Sequence, residues 1–214
     1  MAGRTTVHGA KRGFAVPRIP KIAVYIVGFV PAVWLFYEGV NDRLGADPMR
    51  YLEQALGLWA LRFLIASLAV TPLRQVLNIN LLRYRRALGL LAFYYAALHL
   101  LTYLVLDQGL DAAAIWADIV KRPYITIGMA TFVILIPLAL TSNNAAIKRL
   151  GGQAWARLHR LVYVAAIGAV LHYLLVVKSW PPEPLVYAAI VVALLGYRLV
   201  RSVGRRASPK RRPA

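Results

Sequence analysis

Gln153 to Lys178 reads QAWARLHRLVYVAAIGAVLHYLLVVK, an apolar run long enough for a membrane-crossing helix, with a histidine near each end. The chain has only four histidines, and two of them, His159 and His172, lie in this run. Thirteen residues separate them. On a helix that is about 20 Å along the axis, two-thirds of the hydrocarbon thickness of a bilayer, so each can serve one leaflet. His99 sits in a second apolar run, RRALGLLAFYYAALHLLTYLV, and His8 lies in a polar basic tail. Three intramembrane histidines therefore carry the functional question.

Working outward, the 214 residues are 60% hydrophobic, and the apolar runs are too many and too long for a soluble domain of that size. The fold expected is all-α, a polytopic membrane protein built as a six-helix bundle. The net charge of +18 would suggest nucleic acid in a soluble protein, but here the basic residues sit in short segments between apolar runs. That is a topology signal, and no nucleic-acid partner is expected. No cysteine is present, which excludes disulfides, Cys-ligated iron–sulfur clusters and covalently attached c-type haem. The basic N-terminus, MAGRTTVHGAKRGFAVPRIPK, has no short apolar core with a small-residue cleavage site directly after it, so the first apolar run reads as a mature helix.

Six spans are expected at about Ile22–Val40, Leu52–Thr71, Ala87–Leu106, Tyr124–Leu140, Leu158–Val177 and Leu185–Val200. Short links such as NDRLGADP, the turn at Asp107–Gly109, TSNN and SWPPEP join them. The organisation is then a basic tail over 1–21, a transmembrane domain over 22–200 and a second basic tail over 201–214. Twenty of the 26 Lys and Arg residues fall on the side of the N-terminus, five fall opposite, and Arg62 lies inside span two. All eight acids lie on the opposite side. Both termini are therefore expected in the cytoplasm.

Spans three and five run parallel, so depth can be counted from their basic ends. His99 and His172 match, each twelve to fourteen residues in, where two imidazoles from facing helices could bind one haem iron axially. At the depth of His159, span three carries Arg86. A lone intramembrane histidine is as readily an interhelical hydrogen bond, but the matched pair and the small residues Ala165, Ala166, Gly168 and Ala169 favour a flat group or a close helix neighbour. His159 and His172 lie roughly 140° apart on an ideal helix, so one seam for both requires an irregularity or different neighbours. Arg62 near the middle of span two needs an anion such as a propionate, or a helix start that lets it reach Glu53 at the interface. Most of Tyr94, Tyr95, Tyr103, Tyr163 and Tyr173 read as packing aromatics. Arg83, Arg85 and Arg86 are first of all anchors, which a flavin phosphate or haem propionate would also use.

The stretches LAVTPLR (Leu68 to Arg74), RRALGLLAFYYAALHLLTY (Arg85 to Tyr103), KRPYITIG (Lys121 to Gly128), LALTSNN (Leu138 to Asn144) and WARLHRLVY with the later LHY (Trp155 to Tyr173) give the chain a family resemblance. It resembles the MsrQ (YedZ) family within the ferric-reductase-like transmembrane proteins over nearly all six spans. The resemblance implies a haem b electron-transfer subunit of the bacterial inner membrane, with one or two haems and FMN as a further cofactor. Electrons would pass from the quinone pool or a reduced flavin to a periplasmic molybdopterin-containing subunit that reduces protein methionine sulfoxide. His99, His159 and His172 fall on the family's histidine positions and are the expected ligands of haem iron; Arg62 and Arg86 complete the expected cofactor-binding set. The wider group usually has two histidines on each of two helices, whereas span three here has one. Catalysis is expected on the partner and not on this chain. The rival expectations are a stand-alone transmembrane ferric or quinone reductase, and a non-redox transporter or haem carrier.

Overall fold

The computed structural model describes residues 19–177 and 181–207; His8, Lys178 and the residues 1–18 and 208–214 of the two basic tails lie outside them. Every element among the described residues is helical, and six stretches are long and apolar enough to cross a membrane. The protein is a six-span membrane protein. The spans start from α1 (Lys21–Val40) and α2 (Pro48–Val76), followed by α3 (Arg85–Leu101), which a single 3₁₀ turn precedes and a π-helical segment, Thr102–Asp107, extends. After the short α4 (Ala112–Lys121) come α5 (Pro123–Leu140), α6 (Asn144–Leu150) and α7 (Gly152–Leu158). The chain then forms α8 (Leu161–Val176) and α9 (Pro182–Ala207).

Local chemistry sets these boundaries. The Asp47 carboxylate accepts from the Arg50 amide at 3.2 Å at the head of α2, and the Asn143 side chain accepts from the Ala146 amide at 2.7 Å at the head of α6. Pro48 and Pro123 occupy first-turn positions, where a missing N–H leaves no bond unmade. The sequence reading left residues 112–121 in a link, but Asp111 caps a helix there by accepting from Ala113 and Ala114 at 2.9 and 3.1 Å. Ten residues reach only about 15 Å, so α4 is a helix that does not span. Span two is longer than expected at both ends, because charged Arg50 and Arg74 are helical yet sit outside the expected apolar run.

Four helices form the centre. α2 packs on α3, α3 on α5, α5 on α8 and α8 on α2, so α3 and α8 face each other across a diagonal. α1 covers the α2–α3 edge and α9 the α2–α8 edge. Leu61, Leu64, Leu68, Ala92, Ala166, Val170 and Val191 form one buried cluster, and Leu135, Leu138 and Ala165 another. Ala92 of α3 and Ala165 and Ala166 of α8 are buried in these clusters, small residues that allow close helix approach.

Side chains from other helices bond the backbone beside two prolines. Pro31 lies inside α1, and next to it the fully buried Tyr95 hydroxyl accepts from the Ala32 amide at 3.0 Å and donates to the Gly28 carbonyl at 2.7 Å. Pro72 in α2 has no N–H for the carbonyl four residues earlier, Leu68. Arg198 of α9 donates to that oxygen at 2.5 Å and to the Tyr163 hydroxyl at 3.2 Å. The sequence reading counted Arg198 with the terminal basic segment; the structure folds it into the bundle, because a freed carbonyl in hydrocarbon needs a donor.

Candidate functional site

His99 lies near the end of α3 and His172 near the end of α8, on the diagonal. Their ring centres are 6.0 Å apart and their planes are inclined by 79°. His99 Nδ1 lies 2.8 Å from the Glu53 carbonyl oxygen, and His172 Nδ1 lies 2.7 Å from the Tyr124 carbonyl oxygen. A carbonyl only accepts, so each Nδ1 carries the proton and donates it. Each Nε2 is thereby left as a lone pair, the tautomer a metal-binding imidazole needs.

The two cradles are built alike. In α2 the residue four after Glu53 is Gly57, and a Cβ there would lie 3.0 Å from His99 Nδ1. In α5 the residue four after Tyr124 is Gly128, and a Cβ there would lie 2.8 Å from His172 Nδ1. The α2–α3 and α5–α8 hairpins thus repeat one device: a glycine lets an imidazole reach the helix backbone one turn earlier. The sequence reading names Glu53 only as a partner for Arg62, Tyr124 and Gly128 only within KRPYITIG, and Gly57 not at all. Backbone acceptors have no residue signature, and the only available signal was a glycine inside each apolar span.

His159 does not join this pair. It ends α7, where the chain turns through Arg160 before α8 begins, which is the irregularity that the 140° offset requires. Its ring stacks on Trp155 with centres 3.9 Å apart, and its Nε2 lies 2.9 Å from the Thr141 hydroxyl. Thr141 spends its one hydroxyl proton on the Pro137 carbonyl at 2.6 Å, so His159 Nε2–H is the donor to Thr141. The indole N–H of Trp155 binds the Thr141 carbonyl at 2.8 Å and locks the group.

The cations lie apart from the pair. Arg62 donates to the Tyr187 hydroxyl at 2.8 Å, faces Glu183 at 3.8 Å and lies over the Trp59 ring. Its anion within the chain is therefore Glu183 of α9, and Glu53 is not its partner. Arg86 donates to the Asn144 side chain at 2.9 Å, tying α3 to α6. Of the tyrosines, Tyr103 donates to Asp118 of α4 at 3.2 Å, Tyr163 accepts from Arg198, and Tyr94 and Tyr173 pack on other rings.

The pair fits an axially held iron. Two metal–nitrogen bonds of about 2 Å, laid end to end with the ring radii, call for ring centres about 6 Å apart. Observed are ring centres 6.0 Å apart, with each Nδ1 engaged by a backbone carbonyl, which in a neutral imidazole leaves Nε2 as the metal-binding nitrogen. Among the described residues no cluster of three or more His, Cys, Asp and Glu side chains competes as a metal site.

A membrane bundle with two histidines facing across its centre defines a class, and residues 55–170 match the family described as ferric reductase like transmembrane component. The chain is 60% identical over 190 residues to a protein of Brucella ovis (strain ATCC 25840 / 63/290 / NCTC 10512) named protein-methionine-sulfoxide reductase heme-binding subunit MsrQ. The match covers 89% of this chain and 86% of that relative. Proteins of the same name from Brucella canis (strain ATCC 23365 / NCTC 10854 / RM-666) and Brucella suis (strain ATCC 23445 / NCTC 10510) match to the same extent. The chain belongs to the MsrQ family of ferric-reductase-like membrane proteins.

Proposed function

We propose that the protein is the haem b electron-transfer subunit of a protein-methionine-sulfoxide reductase system, with His99 and His172 as the axial ligands. The observation that carries this reading is the pair itself, two imidazoles with ring centres 6.0 Å apart, each held at Nδ1 by a backbone carbonyl. Bound there, haem b supplies one-electron chemistry. The chain's own residues hold the tautomers through the Glu53 and Tyr124 carbonyls and keep the two rings at one depth in the membrane. The finer assignment follows the family name and the charge pattern. The chain lies in the inner membrane with both termini cytoplasmic, and electrons come from a quinone or reduced flavin, with FMN as the flavin. They leave to a periplasmic molybdopterin-containing catalytic subunit, so chemistry on sulfoxide belongs to the partner.

The test is the spectrum of the purified protein, oxidised and dithionite-reduced. His99→Ala and His172→Ala should each abolish the same low-spin haem signal, while His8→Ala should leave it intact. Loss of two different signals, or of none, overturns the pairing. A stand-alone reductase would turn over ferric or quinone substrates without a partner, and a transporter would show no stable low-spin haem.

A second reading gives His159 a haem at the basic end, with Arg86 beside its propionates and Arg62 serving the opposite end. Its support is that His159 shares a span with His172 and lies near Arg85 and Arg86. Because Nε2 of His159 is committed to Thr141, ligation requires that bond to be exchanged. Under this reading His159→Ala lowers the haem-to-protein ratio while Thr141→Val preserves or raises it. An unchanged ratio in both variants reduces the chain to one haem.

A further inference from the structure

At the basic ends of α2, α3, α8 and α9 the bundle holds two guanidinium groups and no carboxylate. Arg198 uses Nη2 on Leu68 O and Nη1 on the Tyr163 hydroxyl, its guanidinium lies 5.4 Å from the Tyr163 ring centre, and its Nε is buried with no hydrogen-bond partner. Arg85, the first residue of α3, is anchored next to it: its carbonyl lies 3.4 Å from the hydroxyl of Ser67, the neighbour of Leu68. The Arg85 side chain is half-buried and feels the charge of Arg198 and the Tyr163 hydroxyl. No acid can neutralise this pair from within the chain. The eight acids are Glu38, Asp42, Asp47, Glu53, Asp107, Asp111, Asp118 and Glu183, and all belong to the other face.

Side chains on a helix lean toward its N-terminus, so an arginine near the end of α9 leans into the bundle and away from the basic rim. That direction meets the demand of the Leu68 carbonyl, but it also draws a second positive charge toward Arg85. Like charges brought together in a low-dielectric setting call for an external anion. Guanidinium forks suit a tetrahedral oxyanion, and a phosphate has oxygens enough for the Arg198 Nε–H, the Arg85 fork and the Tyr163 hydroxyl together.

We propose that Arg85, Arg198 and Tyr163 form a binding site for a phosphate group at the basic end of the bundle. Two sources share this chemistry: the headgroup of an anionic phospholipid, and a soluble phosphate compound reaching in from the basic side. The proposal is independent of which histidines hold haem.

The experiment uses haem-loaded, detergent-purified protein. Thermal unfolding is followed while phosphatidylglycerol or, separately, phosphatidylcholine is titrated in mixed micelles, and inorganic pyrophosphate is titrated in a third series. Expected is saturable stabilisation by phosphatidylglycerol and not by phosphatidylcholine, weakened at least tenfold in Arg85→Gln and in Arg198→Gln and unchanged in Arg74→Gln, an exposed arginine of the same face. Competition by pyrophosphate assigns the soluble source, and its absence assigns the lipid. Far-ultraviolet circular dichroism reports whether each variant is folded; if Arg198→Gln does not fold, Arg85→Gln decides. The proposal is overturned if neither probe saturates in the wild type, if Arg74→Gln weakens binding equally, or if Arg85→Gln binds as the wild type does. It is also overturned if Arg85→Gln loses haem in step with phosphate binding, because the arginine then serves the cofactor.

Discussion

A histidine in a membrane is defined by what its second nitrogen does. His99 and His172 give Nδ1 to a backbone carbonyl and keep Nε2 free, whereas His159 gives Nε2 to Thr141 and stacks on Trp155. Three residues of one type therefore divide into a pair held at Nδ1, the proposed haem ligands, and one held at Nε2 beside a helix break. The glycines beneath the pair set its geometry. Gly128→Ala would place a methyl 2.8 Å from His172 Nδ1, and Gly57→Ala one 3.0 Å from His99 Nδ1. Overpacking of this kind typically costs about 1–3 kcal/mol. Both variants should lose haem affinity, Gly128→Ala more than Gly57→Ala, as read from haem occupancy during competition with a haem acceptor protein. Equal occupancy in both variants and the wild type would show that the rings move freely. The 79° between the ring planes gives a second readout. If His99 and His172 held haem iron at this inclination, the ferric signal in electron paramagnetic resonance would be strongly anisotropic.

At the scale of elements, irregular helices do most of the positioning. Proline frees a carbonyl, and in hydrocarbon that oxygen needs a donor from elsewhere. Pro72 obtains one from Arg198, while beside Pro31 the Tyr95 hydroxyl inserts into the ladder between Ala32 and Gly28. Each bond fastens a peripheral helix to the central four, α9 in one case and α1 in the other. Tyr95→Phe removes the hydroxyl and leaves a buried amide and a buried carbonyl to find each other. We expect a loss of about 1–3 kcal/mol, seen as a lower thermal midpoint at unchanged haem content. A midpoint equal to the wild type would mean that α1 closes its own ladder. The break between α7 and α8 belongs to the same set: His159 and His172, about 140° apart on an ideal helix, both reach α5, at Thr141 and at Tyr124. α4 shows the pattern from outside. Asp111 caps it, Tyr103 ties it to the end of span three through Asp118, and Trp116 stays 67% exposed, as an interfacial aromatic would be.

For the whole molecule, orientation follows from charge. The basic face carries the α2–α3 and α5–α7 connections, and the acidic face carries α4 and the start of α9. Reporter fusions after Lys148 and at the C-terminus should report cytoplasm, and fusions near Asp111 and Pro182 should report the far side. A far-side signal from the C-terminal fusion would reverse the proposed direction of electron flow. The pseudo-symmetric hairpins place the histidine pair toward the acidic face, which suits delivery to a partner beyond it.

Much of this was legible in the sequence, because it depends on quantities that add along the chain. Six apolar runs, one-sided charge and histidines at matched depth fix a six-span bundle in which His99 and His172 share a level, since helical rise is constant and lipid forces every backbone group into a helix. Depth is additive; azimuth and partner are not. Only the tertiary structure decided that α3 and α8 lie on a diagonal, that Gly57 and Gly128 let the imidazoles reach carbonyls, that Glu183 answers Arg62, and that Arg198 turns inward to the carbonyl freed by Pro72. These contacts join residues far apart in sequence through backbone atoms or rotamer choices, and neither leaves a trace in residue type. The family resemblance located His159 on a histidine position, but the Thr141 bond that holds it exists only where α5, α7 and the break before α8 meet.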